Sequence, residues 1–341
     1  MSSRNRIFVI TVVVFALLAA GIASYLFFRP PATQPRSLLL YTNYQSPETI
    51  TNWIVDTDTG EKWEVGKGLA AWHWSPSGKY LIFHTLSPLP RQIWISNPDG
   101  SKLRQVLDGT DYPDLEIKNF DWLTGDMILV NVVRDAQSYT YLLKLNTLTF
   151  EQIPDSGGFI KVSPSSQFWL EFSMQNKYSF FNLDGRRTPL PSYLGDYYFS
   201  PTEDKIAYSC AGEYKFSSLC IADINISGIT NERKVAENAF LNAYGETWWS
   251  QDGKYIGFLY YSEENKETRF RAINVSSGAI AYDWIFPTKD TRNFWSPRGD
   301  KIIDWGGLLL DLRTGQVSSF FTEIGETIPS YVVDWRMIEV P

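Results

Sequence analysis

The stretch WSPSGKYLIF at positions 74–83 decides the fold, because its pattern of an aromatic residue, a Ser-Pro-x-Gly-Lys turn and an apolar strand recurs along the chain. Close copies are WSQDGKYIGF at 249–258 and WSPRGDKIID at 295–304. Looser copies are WLTGDMILV at 122–130, VSPSSQFWLEF at 162–172, FSPTEDKIAY at 199–208 and DWR at 334–336. The repeated residues, here called anchors, are Trp74, Trp122, Val162, Phe199, Trp249, Trp295 and Trp335, spaced 48, 40, 37, 50, 46 and 40 positions apart. This period predicts an array of small repeated sheets.

A second element, a strand followed by a short polar turn and another strand, occurs seven times. It lies at 52–65, 92–107, 140–153, 177–190, 218–235, 269–285 and 308–321. Most of the turns hold Asp or Asn together with Gly, as tight hairpins require where the backbone takes positive φ. Each repeat therefore supplies four short strands, which predicts a blade of an all-β propeller.

The blade count follows from the length of the repeat region. Dividing the 305 residues of 37–341 by seven gives 43.6 per blade, whereas six blades, the alternative, would need about 51 residues each. The first repeat lacks an anchor strand, and the last anchor strand lacks a hairpin. We therefore expect residues 331–335 to complete the blade that contains residues 38–65, which closes the ring and removes an open sheet edge. A β-sandwich followed by a tail is the other fold considered.

The W-S-P-x-G-K-Y strings, together with NPDGSKL at 97–103, resemble the repeat of TolB-like propellers, which also occurs in tricorn-type and dipeptidyl-peptidase-type propeller domains and is akin to WD-type repeats. The resemblance covers nearly all of residues 38–335. It implies a structural role for the repeated residues. As a function it implies protein binding by an exported or membrane-associated protein, or a gating domain for a hydrolase.

The N-terminal segment predicts a membrane anchor. Residues 7–28 are 22 residues without a charged side chain, enough for a helix of roughly 33 Å across the hydrocarbon core. A transmembrane signal-anchor is favoured over a cleaved signal peptide, because apolar residues continue past the small residues at 21–23. We expect residues 1–6 to be a cytoplasmic tail, residues 29–37 a Pro-rich linker, and residues 38–341 the extracytoplasmic propeller of a single-pass cell-membrane protein.

Composition excludes several classes of protein. Of the 341 residues, 44% are hydrophobic and 16% aromatic, which excludes a disordered chain. Residues 1–36 hold four of the 31 basic residues and no acid, so residues 37–341 carry 27 basic and 38 acidic residues, a net charge of −11. Such a surface is a poor binder of phosphate backbones, so we expect no nucleic-acid partner. With only two His and two Cys in the chain, we expect no metal site and no cofactor.

The candidate ligand-binding residues lie one to three positions before the anchors, where the inner strands begin and crowd around a central channel. They are Trp72, His73, Asn119, Asp121, Lys161, Asp196, Tyr198, Glu246, Trp248, Arg292 and Asp334. This mixture of aromatic and charged groups suits a protein, peptide or glycan ligand. The alternative is a solvated channel wall with hydrogen bonds between blades.

No catalytic motif of a serine hydrolase, zinc protease or nucleotide-binding enzyme is present. A glycoside or ester hydrolase would instead have to use the channel carboxylates Asp121, Asp196, Glu246 and Asp334. Two carboxylates about 5–10 Å apart without basic partners would favour hydrolysis, and acids paired with cations would favour a binding module. We expect His73 to be structural and His84 to lie on the surface.

Cys210 and Cys220 are the two cysteines, and nine residues separate them. They follow one another on adjacent predicted strands, so we expect them to face each other across one hairpin and to form a disulfide in an oxidising compartment. Two free thiols, one buried in each strand, are the alternative.

The function predicted from the whole sequence is a non-catalytic binding or scaffold module.

Overall fold

Seven antiparallel sheets make up the computed structural model. It describes residues 34–339, except 45, 47–48, 87–90, 164–166, 174–176, 191–196, 202–204, 214–215, 240–248, 263, 289–291 and 327–329. All of the strands belong to one compact unit, Arg36–Ile338. The predicted membrane segment at 7–28 and the tail at 1–6 lie outside the described residues. Among the residues that are described, no helix is both long and apolar enough to cross a bilayer.

The strands follow chain order from the centre of each blade outward. Blade 1 holds β1 (Arg36–Asn43), β2 (Thr51–Asp56) and β3 (Lys62–Val65), and blade 2 holds β4 (Ala70–Trp74), β5 (Leu81–His84), β6 (Gln92–Ser96) and β7 (Arg104–Asp108). Blade 3 holds β8 (Glu116–Trp122), β9 (Met127–Arg134), β10 (Gln137–Lys144) and β11 (Thr149–Gln152). Blade 4 holds β12 (Gly158–Val162), β13 (Trp169–Ser173), β14 (Lys177–Phe181) and β15 (Arg187–Pro189).

The remaining blades continue the pattern. Blade 5 holds β16 (Tyr197–Phe199), β17 (Lys205–Glu213), β18 (Phe216–Asn225) and β19 (Gly228–Ala239), and blade 6 holds β20 (Tyr255–Ser262), β21 (Glu267–Asn274) and β22 (Ile280–Ile285). Blade 7 holds β23 (Asn293–Trp295), β24 (Lys301–Asp304), β25 (Leu308–Asp311) and β26 (Val317–Ser319), followed by the short helix α1 (Phe320–Glu323). In blade 6, the anchor Trp249 pairs with Ile256 as an isolated bridge. A 3-10 turn, Gly109–Asp111, lies between blades 2 and 3.

The ring closes as the split first repeat predicts. The last strand, β27 (Ser330–Ile338), pairs with β1 and becomes the innermost strand of blade 1, with Leu39 opposite Trp335. The prediction of an all-β propeller with seven blades is therefore confirmed. β1 begins at Arg36, inside the segment assigned to the linker, because Arg36 pairs with Ile338 across the sheet.

The Ser-Pro-x-Gly motif closes the turn between the first two strands of a blade. In blade 2, Gly78 N–H donates to the Ser75 carbonyl (2.8 Å), and Tyr80 N–H donates to the Ser75 hydroxyl oxygen (3.1 Å). Gly78 sits at φ +68°, which a residue with a Cβ rarely adopts. The same bonds recur at Ser250 and Ser296. We call the face that carries these turns the lower face, and the face where inner strands begin the upper face.

The apolar core lies between adjacent blades. One buried cluster joins strands of blades 2 and 3, and comparable clusters join blades 3 and 4, 4 and 5, 5 and 6, 6 and 7, and 7 and 1. The anchor tryptophans are buried in this layer and use their indole N–H groups to bond a neighbouring strand or turn. Trp249 donates to the Tyr198 carbonyl (2.9 Å), and Trp335 donates to the Ser37 hydroxyl (3.1 Å). The anchors are therefore structural.

A second ring of bonds links the blades near the lower face. A side chain on an outer strand donates to a carbonyl in the hairpin turn of the next blade. The pairs are Trp63 to Asp99, Thr188 to Ile226, Arg233 to Val275 and Trp284 to Leu312. They join blades 1 and 2, 4 and 5, 5 and 6, and 6 and 7. Between described residues no such bond crosses the seams between blades 2 and 3, 3 and 4, or 7 and 1.

Candidate binding site in the central channel

The position immediately before each anchor forms a belt around the channel. Its described members are Asp334, His73, Asp121, Lys161, Tyr198 and Phe294, in the order of blades 1, 2, 3, 4, 5 and 7. Among these described members, blades 1 to 4 contribute acidic or basic groups, and blades 5 and 7 contribute aromatic rings. Inner strands run side by side around the axis, so each belt residue can reach the next blade. The contacts below are of this kind.

His73 and Asp121 pair across the seam between blades 2 and 3. His73 Nε2 lies 3.3 Å from Asp121 Oδ1, and Nδ1 lies 3.3 Å from the Trp74 carbonyl. Asp121 Oδ1 also accepts the Trp122 N–H (2.8 Å). Both ring nitrogens therefore face acceptors within the protein, and neither faces a nucleophile among the described residues. A general base needs a nitrogen that reaches the reacting proton, so this geometry suits a bridge between blades.

Asp334 performs the same bridging role between blades 1 and 2. Trp74 N–H donates to Asp334 Oδ2 (3.2 Å), and Trp335 N–H donates to Oδ1 (2.8 Å). Arg336 pairs with the same carboxylate, with Nε 2.9 Å from Oδ2. Asp334 is buried, and both of its oxygens are engaged. A carboxylate whose two oxygens already accept bonds from a cation and two backbone donors is poorly placed to contact a substrate.

Cations also lie against aromatic rings at the channel. Lys161 Nζ lies 5.7 Å from the centre of the Tyr198 ring, between blades 4 and 5. At the upper end of blade 7, the Arg292 guanidinium lies 3.4 Å from the centre of Trp305, and Trp305 stacks on Tyr331 of blade 1 at 4.7 Å. These are cation–π contacts, which orient the cation and cover one face of each ring.

The other two described candidates have local partners. Trp72 is half-buried between blades 2 and 3, where its ring centre lies 6.0 Å from His73, 6.0 Å from His84 and 5.9 Å from Phe120. Asn119 turns its side-chain oxygen to the Phe120 N–H (2.9 Å). Trp72 therefore packs as part of the seam. Asp196, Glu246 and Trp248 lie outside the described residues.

The surface position expected for His84 is wrong. His84 is 5% exposed, because β5 is an interior strand of its blade and neighbouring blades cover both of its faces. Burial lowers the pKa of His84 to about 4. This value includes the opposing effect of a hydrogen bond to the Thr85 carbonyl, which raises the pKa, and a smaller lowering by the charge of Arg91. The imidazole is therefore neutral at pH 7.

Cys210 and Cys220 form a disulfide in blade 5, with their Cα atoms 5.7 Å apart. Ser209 pairs with Leu219 and Ala211 pairs with Ser218, so Cys210 is the additional residue of a β-bulge. The bond therefore links β17 to β18 where their hydrogen-bond ladder is interrupted.

The sequence analysis missed Trp305 and Tyr331. Trp305 follows β24 in an upper connection, which belongs to no repeated motif. Tyr331 lies four positions before the Trp335 anchor, whereas the candidate residues lie one to three positions before an anchor. An aromatic residue next to Gly306 and Gly307 in an upper turn was the available signal for Trp305.

No described group of three or more His, Cys, Asp or Glu side chains is arranged to hold a metal ion. The described channel carboxylates pair with basic side chains instead: Asp121 contacts His73, and Asp334 contacts Arg336. In the described part of the channel, the polar and aromatic side chains therefore make hydrogen bonds, ion pairs and ring contacts between neighbouring blades.

Comparisons with known proteins identify the fold. No family model matches the chain, and no curated protein matches it either. Among solved structures, TolB from Acinetobacter baumannii is 14% identical with a TM-score of 0.51, covering 77% of this chain, which spans 66% of that one. Oligogalacturonate lyase from Vibrio parahaemolyticus is 13% identical with a TM-score of 0.54, covering 79% of this chain and 84% of that one.

A TolB-like propeller fits the chain. A further oligogalacturonate lyase, solved with manganese, gives a TM-score of 0.53 at 14% identity, covering 84% of this chain and 85% of that one. Identities this low show the fold alone. Because one such fold is shared by TolB and by lyases, it does not select a function by itself.

Proposed function

We propose that this protein is a non-catalytic binding or scaffold module, a propeller displayed outside the cell membrane by an N-terminal helix. Its ligand is a protein, peptide or glycan bound at the upper mouth of the channel. One observation carries the proposal: the described channel carboxylates, Asp121 and Asp334, are held by His73 and by Arg336 with backbone donors. Hydrolysis would need carboxylates left available to the substrate.

Aromatic groups at the mouth supply the binding surface. The stack of Arg292, Trp305 and Tyr331 is a preformed, rigid arrangement of rings and a cation on the upper face. Rigid aromatic side chains lose little entropy on binding and stack well on sugar rings or peptide planes. Upper connections also vary between blades, which is where propellers place recognition residues.

The apolar segment at 7–28 and the disulfide support the proposed location. Disulfides such as Cys210–Cys220 form and persist in oxidising compartments outside the cytoplasm. Deletion of residues 1–28 should release the protein from the membrane fraction into the soluble one. The full-length chain should remain with the membrane and be accessible to protease added on the outer side. Protection from that protease would contradict the proposed orientation.

The binding role is tested by crosslinked capture from the native envelope with full-length protein. Trp305→Ala should reduce capture of the bound partner at least fivefold, because it removes the central ring of the stack. Trp63→Ala, on the outermost strand of blade 1, is the matched control: it removes an indole that bonds the Asp99 carbonyl and lowers stability, yet the folded variant should capture as the unchanged protein does. Turnover of a glycan or ester that both Asp121→Asn and Asp334→Asn abolish would instead establish the hydrolase alternative.

A further inference from the structure

A cavity of about 660 Å³ opens on the upper face at the seam between blades 2 and 3. We call it the seam cavity. Its wall is formed by the end of the β5–β6 connection, the segment between β7 and β8, and the turn between β9 and β10. None of the channel residues predicted from the sequence lines it. The cavity is therefore separate from the channel mouth.

Two guanidinium groups line the seam cavity. Arg91 is anchored by a bond from Nη1 to the Lys118 carbonyl (2.7 Å), and its buried Nε has no hydrogen-bond partner among the described residues. Arg134 lies over the ring of Tyr139, 4.9 Å from its centre. Both cations are thus held in place by one contact each. Fixed guanidinium groups bind carboxylates well, because their N–H donors match two oxygens.

The rest of the wall is mixed. Leu115 and Ile117 contribute apolar surface, whereas Asp114, Glu116 and Asp135 contribute carboxylates. Glu116 is paired with Lys118. With three acids against two arginines, the wall would repel a polyanion. It suits a ligand that brings one carboxylate for the arginines and N–H donors for the acids, as a peptide does.

The turn that carries Arg134 is strained. Asp135 and Ala136 follow one another at φ 51° and 62°, although neither is glycine. Left-handed backbone at such residues costs free energy and persists where the surroundings demand it. Here the two-residue hairpin connection between β9 and β10 demands this backbone, and that connection places Arg134 and Asp135 in the wall.

We propose that the seam cavity is a second binding site, which takes an acidic side chain of an extended peptide between Arg91 and Arg134. The peptide's apolar side chains lie against Leu115 and Ile117, and its backbone N–H groups face Asp114 and Asp135. This inference goes beyond the proposed function, because it concerns a different surface and a defined ligand chemistry.

The test is fluorescence anisotropy on the full-length protein with two labelled peptides. One is a terminally blocked octapeptide of alanine and leucine with one central glutamate, and the other has glutamine in its place. The unchanged protein should bind the glutamate peptide at least tenfold more tightly. In the double variant Arg91→Gln/Arg134→Gln this preference should fall below twofold, and Arg134→Gln alone should weaken it.

Arg104→Gln is the matched control, because Arg104 is an exposed arginine at the lower end of β7 in blade 2. It should keep the preference, and so should Trp305→Ala at the channel mouth. Equal binding of the two peptides by the unchanged protein would overturn the proposal, as would a preference that survives in the folded double variant. An oligouronate that competes better than the glutamate peptide would overturn the peptide assignment. Loss of capture by Trp305→Ala is independent of all these results.

Discussion

Leu148 holds a backbone conformation that other blades assign to glycine. In the hairpin turns of blades 1, 6 and 7 the equivalent positions are Gly60, Gly278 and Gly315, at φ 76°, 72° and 72°. Leu148 sits at φ 54° with 52% of its side chain exposed, so it contributes strain and little packing. The repeat pattern predicted the turn, and the deviation from glycine marks where it is strained.

Leu148→Gly should raise the free energy of unfolding by about 1 kcal/mol, because relief of the left-handed strain outweighs the added flexibility of the unfolded chain. Urea denaturation measures this change. Leu148→Ala is the control and should leave stability nearly unchanged, since alanine retains the Cβ that causes the strain. A glycine variant no more stable than the alanine variant would show that the turn is not strained.

His84 should make the protein acid-sensitive. Its pKa is near 4 in the folded protein and about 6.5 when unfolded, so between these values the unfolded chain binds the proton and the folded one does not. Stability is unaffected above pH 6.5 and falls as the pH drops towards 4, by up to about 3 kcal/mol. In His84→Phe this slope should flatten, as measured by denaturation across that range. An unchanged slope would place the sensitivity elsewhere.

At the scale of the element, hairpins were the most predictable part. The Asp/Asn and Gly turns of the lower face depend on local backbone chemistry, which a sequence displays directly. The upper connections vary in length and composition and carry no repeat. Arg91 therefore could not be assigned to a site from sequence, and for Trp305 the two glycines that follow it were the one signal. The burial of His84 escaped prediction because the residue ends its strand beside a Pro-containing connection, and the sequence does not show that Phe120 of the next blade packs against it.

The bonds from outer strands to the next blade's turn should each contribute measurably. Thr188→Val keeps the shape of the side chain but removes the donor to the Ile226 carbonyl, so the free energy of unfolding should fall by about 1 kcal/mol. Thr188→Ser keeps the hydroxyl and should lose less. The comparison is made by urea denaturation. A larger loss in the serine variant than in the valine variant would assign the effect to packing of the methyl group.

The disulfide should stabilise the hairpin of β17 and β18. Replacing both Cys210 and Cys220 by serine should lower the free energy of unfolding by about 2–3 kcal/mol, the value expected for a loop of this length. A reducing agent should have the same effect on the unchanged protein and none on the double variant. Full stability of the double variant would show that the bulged strands need no covalent link.

At the scale of the molecule, the ring is closed by the C-terminal strand. β27 supplies the innermost strand of blade 1, and Tyr41, Lys62 and Asn43 of that blade contact Glu326 shortly before it. A chain that ends at residue 329 should lose cooperative unfolding and associate, because β1 would expose an unpaired edge. Light scattering and thermal unfolding measure this. A truncated chain that stays monomeric and unfolds as the full-length one does would contradict the role of closure.

The number of blades and the closure could be predicted because they follow from counting repeats and from one incomplete repeat at each end. The channel contacts could not be. The bond from Trp74 to Asp334 joins residues 260 positions apart, and it forms only when the inner strands of blades 1 and 2 lie side by side. The position before each anchor therefore identified the belt residues from the sequence. The bonds that these residues make to the next blade could be seen only in the folded ring.

The two strands that close the ring are made at different times, because β1 lies early in the sequence and β27 lies late. Ser37 and its indole partner on Trp335 are 298 positions apart. At the usual rate of translation, about 5–20 residues per second, roughly 15–60 s pass between the synthesis of β1 and that of its partner strand β27. During that interval one edge of β1 has no partner strand, so the growing chain exposes backbone groups that can pair with another polypeptide.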